Sequence, residues 1–177
     1  GDVYKRQVVL PQSARLGEPG TAFRNVLATL SVFRISVAGA ALGVMTGAIE
    51  EAVKHCTQRE QFGRSLIKHG PVATLLADSW SDLESSRFLT YQTASLAIDD
   101  PAKNLDKSSL AKLTATEAAC RVVDRCVQTM GRWGLIRGSK IEKYYRQARP
   151  MRVYEGASEI LRLGIANGMV KEFSDGS

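Results

Sequence analysis

The chain has 177 residues, of which 44% are hydrophobic and 24% charged, with a formal net charge of +6. That is enough to bury one good core, short for two domains, and ordinary for a soluble globular protein. No apolar run long enough to span a bilayer and no secretory leader is expected, and His55 and His69, the two histidines, have no partners at metal-ligand spacing.

The positive charge favours anionic partners: phosphorylated cofactors, nucleic acid or acidic protein surfaces. Cys56, Cys120 and Cys126 are odd in number and sit in helical patterns, which predicts reduced thiols in a cytosol-like compartment. The opening GDVYKRQ has no periodicity that joins it to the rest of the chain and reads as a vector or sequencing-adapter scar. Residues 1–16 are therefore set apart as a leader, 17–173 as the folded domain, and 174–177 as a tail.

LGEPG at Leu16–Gly20 is a polar turn, and a short helix is predicted from Thr21 to Leu30. From Ser31 to Thr57 two apolar stripes run in parallel, Phe33, Val37, Ala41, Val44, Ala48 and Ala52 beside Ile35, Ala38, Leu42, Met45, Ile49, Val53 and Cys56. Two stripes predict a helix packed on more than one side. Gly39, Gly43 and Gly47 fall four apart; each costs up to about 1 kcal/mol in a helix interior, so close approach of a neighbouring backbone is expected there.

Gln58–Pro71 breaks the pattern and reads as a loop. Helical periodicity resumes at Val72, with Leu76, Trp80, Leu83, Tyr91, Ala94 and Ile98 on one face to about Asp99. DDPAKN is a stop, and Pro101 is placed to open the next helix. Leu110, Leu113, Val123, Val127 and Met130 mark that helix to near Gly131. GRWGLIRGS is glycine-rich punctuation, a short basic helix spans Ser139–Arg149, and Pro150 interrupts it. A last helix comes after VYEG, with Ile160, Leu163 and Ala166 on one face, and frays at KEFSDGS. No strand is expected. Long helices with short connections predict an all-α, up-and-down antiparallel four-helix bundle.

Glu155 stands between Tyr154 and Gly156 at the start of the last helix. From its position alone it is either a first-turn carboxylate complementing the helix dipole or a base aimed at a substrate. Arg137, Lys140, Lys143, Arg146, Arg149 and Arg152 form a basic stripe; charge runs of this kind are mostly solvated faces, and no nucleic-acid motif accompanies it.

Three stretches occur in order: RxQFG at Arg59–Gly63, QxxGxxG at Gln128–Gly134, and YEGxSxIxR at Tyr154–Arg162. With the helix pattern they resemble the C-terminal domain of the acyl-CoA dehydrogenases, over about Gly17–Phe173. The resemblance implies FAD as cofactor and removal of two hydrogens from the α and β carbons of an acyl-CoA thioester. It implies Glu155 as the base that takes the α-proton, with its backbone N–H donating to the thioester carbonyl. Tyr154, Gly156 and Arg34 would face the acyl-CoA. Arg59 and Gln61 would reach the FAD pyrophosphate and adenosine of a neighbouring subunit, with Phe62 packed near the cofactor. Gln128 and Gly131 would touch the same FAD.

This chain departs from the pattern at Arg132, where a second glycine is usual, at Ala157, where Thr is frequent, and at Gly70, where Gln is frequent. Arg132 either adds a phosphate contact or blocks the cradle; Gly131 and Gly134 are either that cradle or a plain helix stop. The resemblance further implies a homo-oligomer, dimer or tetramer, electron-transferring flavoprotein as a candidate acceptor, and no nucleic acid or membrane span. Bacterial cytoplasm or mitochondrial matrix is the implied compartment. The family's β-domain, which holds much of the flavin, has no counterpart among these motifs. The isolated chain is therefore expected to be a fragment lacking activity, or alternatively a stand-alone helical bundle serving as subunit or scaffold.

Overall fold

A 37-residue helix, α1 (Ala22–Gln58), is the spine of the protein; the computed structural model describes residues 7–97 and 104–174. The short first helix and the long second one expected from the sequence are one continuous element, because nothing between Leu30 and Ser31 breaks the backbone pattern. By length and apolarity α1 also satisfies the criteria for a membrane span, contrary to the expectation from sequence. Part of that apolarity belongs to the core, where Ala38, Ala41, Leu42, Met45, Ala48, Ile49 and Ala52 are buried, while Phe23, Val26, Val32 and Phe33 of the same helix are exposed.

After α1 a two-residue hairpin forms, β1 (Glu60–Gln61) against β2 (Arg64–Ser65), antiparallel with Glu60 opposite Ser65. Its loop residues Phe62 and Gly63 both have positive φ, 51° and 75°, as a tight primed turn requires. No strand was expected here. Two residues carry no alternation signal, and phenylalanine is a poor candidate for left-handed backbone.

Three helices complete the core: α2 (Gly70–Leu96), α3 (Leu105–Met130) and α4 (Lys140–Met151). The last helix, α5 (Ser158–Ser174), docks on α3. Five packed helices thus extend the expected up-and-down bundle, with α3 touching all the others. The predicted stop at Asp99–Lys103, Pro101 and Ile98 lie outside the described residues, as do residues 1–6 of the suspected scar.

The buried face of α2 differs from the expected apolar one. Leu76, Ser79, Leu83, Ser86, Thr90 and Thr93 point inward, while Trp80 is 56% exposed and Tyr91 also faces out. Ser79, Thr90 and Thr93 donate to the carbonyls of Leu75, Ser86 and Leu89 at 2.7–2.8 Å, so the helix itself satisfies their hydroxyls. A count of apolar residues alone misses such a face.

In α3 the buried side is built largely of small residues, with Ala111, Ala115, Ala118 and Ala119 among Ser108, Ser109 and Thr116, followed by Val122, Val123 and Cys126, which brings α1 and α3 close; Leu110, Leu113, Val127 and Met130 are only partly buried. Asp82 of α2 accepts from Arg121 and Arg125 of α3 at 2.8 and 2.7 Å and ties those two helices.

Gly47 alone of the three spaced glycines in α1 meets a neighbour. A Cβ there would lie 2.6 Å from the Tyr144 hydroxyl, so the close approach is by a side chain and not by backbone; Gly39 and Gly43 face open space. α4 starts on Ser139, whose Oγ accepts from the Glu142 N–H, and runs through Pro150 to Met151 instead of stopping before it. In α5, Leu161 is buried, whereas Ile160 and Leu163, expected inside, are each 62% exposed and Ala166 is also exposed. The helix rests on α3 along a line one residue away from the one the sequence implied.

Cys56, Cys120 and Cys126 are free thiols; burial pushes Cys126 up to about 12, so it stays protonated.

Candidate functional site

The turn from Arg152 to Ser158 joins α4 to α5 and carries Glu155. Pro150 leaves its carbonyl free to accept from the N–H groups of Val153 and Tyr154, at 2.8 and 3.2 Å, which turns the chain sharply. Glu155 and Gly156 then take positive φ, 56° and 102°. The first is unusual for a residue with a side chain, and backbone of this kind persists only where the surroundings enforce it.

Those surroundings are explicit. Arg34 of α1 is buried; its Nε donates to the Glu155 carbonyl at 3.1 Å and its Nη1 to Ser109 Oγ at 2.9 Å. Lys112 of α3 is 0% exposed, and its Nζ donates to the Gly156 carbonyl at 2.9 Å. Burial lowers both cations from their ordinary values, and the Glu155 charge opposes this in each case. On the far side of the turn, Glu117 Oε1 accepts from Arg152 Nε at 2.9 Å and from Ser158 Oγ at 2.6 Å, while the Ser158 N–H closes onto the Arg152 carbonyl. Burial alone would raise the Glu117 carboxyl, but those donors outweigh it and hold it below the usual range. A Cβ on Gly156 would come within 3.0 Å of Leu161 and 3.3 Å of the Arg34 guanidinium, so the site requires glycine twice over.

Held this way, Glu155 borders a cleft of about 510 Å³ walled by Leu16, Val26, Leu30 and Phe33. Its Oε2 is buried and has no hydrogen-bond partner among the described residues. Tyr154 is partly exposed; burial, then the neighbouring Glu155 charge, raises its phenol. Arg34 meets the backbone of the turn from within, so the structure joins it to Glu155 and Gly156 directly.

The other sequence-predicted residues lie at the opposite end of α1. Arg59, Gln128, Gly131 and Arg132 line a separate cleft of about 430 Å³ with His55. Gly131 ends α3 with φ 58°, and a Cβ on Gly134 would strike the Val127 carbonyl at 2.8 Å, so Gly134 packs directly on the backbone of α3. Arg132 stands at the wall, its guanidinium 5.3 Å above the Trp133 ring. Among the described residues Arg59 makes no ion pair, and burial with the Arg59 charge lowers His55, keeping its imidazole neutral. Gln61 and Phe62 sit on the hairpin, away from that wall. Phe62 is 93% exposed, with His69 edge-on to its ring and His69 Nε2 3.1 Å from the Gln61 carbonyl.

Sequence reasoning overlooks Lys112, Ser109 and Glu117. A signal for Lys112 is present: it falls on the stripe Ser108, Ser109, Ala115, Thr116 and Ala119, where a charge must either find a partner or leave the core.

The family model for the acyl-CoA dehydrogenase C-terminal domain matches residues 20–170. The chain belongs to the acyl-CoA dehydrogenase family. It is 36% identical over 172 residues to the caffeyl-CoA reductase-Etf complex subunit CarC of Acetobacterium woodii, covering 97% of this chain and 45% of that protein. It is 38% identical over 164 residues to the short-chain specific mitochondrial acyl-CoA dehydrogenase of Rattus norvegicus, covering 93% and 40%. Butyryl-CoA dehydrogenase of Megasphaera elsdenii superposes with a TM-score of 0.86 at 30% identity, over 91% of this chain and 42% of that one. This acyl-CoA dehydrogenase domain thus spans less than half the length of the curated relatives it matches.

Half of the basic stripe is ion-paired within the chain: Lys140 pairs with Glu51, Arg146 with Glu142 and Arg152 with Glu117, at 2.6–2.9 Å, while Arg137, Lys143 and Arg149 are exposed.

Proposed function

We propose that this domain supplies the base for α,β-dehydrogenation of an acyl-CoA thioester, within a polypeptide that also carries the family's flavin-holding regions. The observation that carries this reading is the Glu155 carboxylate: one oxygen buried, unpaired, and bordering an apolar cleft on an enforced turn. Burying a polar atom without a partner costs about 1–3 kcal/mol, a cost that a site awaiting a reactant explains.

The cleft walls Leu16, Val26, Leu30 and Phe33 suit an acyl chain. Glu155 takes the proton from the α-carbon. Its backbone N–H, which has no acceptor among the described residues, donates to the thioester carbonyl and stabilises the negative charge that develops there. FAD, when bound, supplies the acceptor for the hydride from the β-carbon. Tyr154 and Gly156 flank the reacting carbons, and Arg34 holds the turn they sit on.

The donor set of the second cleft fits a pyrophosphate: the unpaired Arg59 guanidinium, the Gln128 amide, the Gly131 turn and Arg132. Arg34 lies within α1 and Arg59 caps its C-terminal end 25 residues later, which at ~1.5 Å per residue is roughly 37 Å. No single dinucleotide bridges that distance. The two ends of this domain therefore serve different FAD molecules, and the complete sites form in a homo-oligomer, with Gln61 and Phe62 reaching across from the hairpin. Exposed Trp80, Phe88 and Tyr91 on α2 offer apolar surface for such contacts. Electron-transferring flavoprotein is the proposed redox partner, in bacterial cytoplasm or mitochondrial matrix.

The test is Glu155→Gln in the flavin-loaded protein. The variant is expected to fold and to bind flavin and substrate analogue, with turnover reduced about 10²- to 10⁴-fold. Undiminished turnover would place the base elsewhere. The 177-residue chain alone is expected to purify colourless; a yellow chain that oxidises acyl-CoA would overturn the requirement for the other domains.

A further inference from the structure

Lys112 is the most unusual side chain in the core. A buried ammonium costs several kcal/mol in lost hydration, and the residues around it on α3 are alanine, serine and threonine. A single hydrogen bond, to the Gly156 carbonyl, anchors it. It also stands close enough to Arg34 for the two positive charges to disfavour each other, while the Glu117 and Glu155 carboxylates favour its charge. Two cations from different helices thus converge on two successive carbonyls, those of Glu155 and Gly156.

Packing does not account for this, since an apolar side chain of similar volume would fill the same space without burying charge. The geometry of the turn does. Positive φ at Glu155 and Gly156 turns both carbonyls inward, and each inward carbonyl needs a donor where water is excluded. Arg34 serves the first and Lys112 the second. The peptide N–H groups of Gly156 and Ala157 lie on the opposite edges of those same planar units, so fixing the carbonyls also fixes which way the outer face of the turn looks.

We propose that Lys112 is a positioning residue: by holding the Gly156 carbonyl it maintains the left-handed turn that aims the Glu155 carboxylate into the apolar cleft. This deepens the reading of Glu155 as the base and rests on it for its catalytic consequence, but the effect on the turn itself stands independently. Lys112 is fully buried behind the turn and acts through it.

Three variants test it. Lys112→Met keeps the length of the side chain and removes the donor; Lys112→Gln keeps a neutral donor; Glu155→Gln checks the base. In the 177-residue chain, amide hydrogen exchange reads the turn through the Ser158 N–H, which bonds to the Arg152 carbonyl. Lys112→Met is expected to speed Ser158 exchange about tenfold while amides in the middle of α1 and α3 keep their protection. In the flavin-loaded enzyme the same variant is expected to lower kcat about 100-fold, with the Kd of a substrate analogue within about threefold of the original. Lys112→Gln should recover at least a tenth of the lost kcat.

The proposal is overturned if Lys112→Met leaves both Ser158 exchange and kcat unchanged. It is equally overturned if Met and Gln lose kcat alike and in step with global stability. Should Lys112→Met fail to fold, Lys112→Gln decides. Faster Ser158 exchange together with reduced kcat supports the proposal; a kcat at the original level, or failure of this variant to fold as well, overturns it. If Glu155→Gln retains turnover while Lys112→Met still frees Ser158, the base assignment has failed and the clamp on the turn has not.

Discussion

At the Glu155 end of α1 the backbone is held from three directions. Arg34 and Lys112 hold the carbonyls of residues 155 and 156, and Glu117 gathers Arg152 and Ser158. At the Arg59 end the hairpin stands out from the bundle, Phe62 is in solvent, and Arg59 has no ion-pair partner among the described residues. The first end is pre-organised by its own chain, as chemistry that tolerates little misplacement requires. The second end has its groups on a scaffold but leaves them unengaged, as a surface completed by another molecule would be.

That contrast predicts a large asymmetry between variants at the two ends. The largest effect is expected from Gly156→Val. Its backbone conformation disfavours any side chain, and the new atoms would press on Leu161 and Arg34. Stability should fall by about 1–3 kcal/mol, and turnover in the flavin-loaded protein by at least about 100-fold. Denaturant unfolding and steady-state kinetics would show both, and a fully active variant would mean the turn is not enforced.

A smaller effect is expected at Glu117. Its folded pKa lies below the unfolded value, so its contribution is present above the unfolded pKa and is lost as pH falls through the folded one. Acidification below about pH 4 should therefore loosen the start of α5, seen as faster exchange at Ser158. Glu117→Gln should show that loosening already at neutral pH and flatten the pH dependence. An unchanged profile would remove Glu117 from the clamp.

The smallest structural effect belongs to the open end. Arg59→Ala and Phe62→Ala should each change stability by no more than about 0.5 kcal/mol, because neither side chain is packed. Arg59→Ala should nevertheless weaken FAD retention in the assembled protein about tenfold or more, measured by flavin release on dilution. A large stability loss on either substitution would show that the hairpin belongs to the core and would erase the contrast.

The helical bundle was legible in the sequence because its long segments carry their periodicity locally. The faces were less so. α2 buries Ser79, Thr90 and Thr93, satisfied by its own carbonyls, and α5 turns Leu161 inward where Ile160 and Leu163 form the more obvious stripe. The continuity of α1 and the tiny hairpin escape a sequence reading for opposite reasons: one lacks a breaker where a boundary is expected, the other is too short to leave a pattern. Among the candidate site residues, Glu155, Arg59, Gln128 and Gly131 are visible through motifs, and Arg34 through its place near the start of the long helix. Lys112, Ser109 and Glu117 are not: the stripe around Lys112 marks it as a charge in need of a partner, but the contacts through which all three act span tens of residues and no local pattern names the partner.

Residue order alone determined that this chain makes long helices, that a carboxylate between Tyr154 and Gly156 stands near the start of the last helix, and that its three motifs belong to one family. Those are consequences of local propensity, spacing and shared descent. Only the tertiary structure decided that α1 and α3 reach behind that turn with two cations, and that the motif residues divide between opposite ends of one helix. Both depend on how rigid elements cross in space, which side-chain type and sequence separation do not specify.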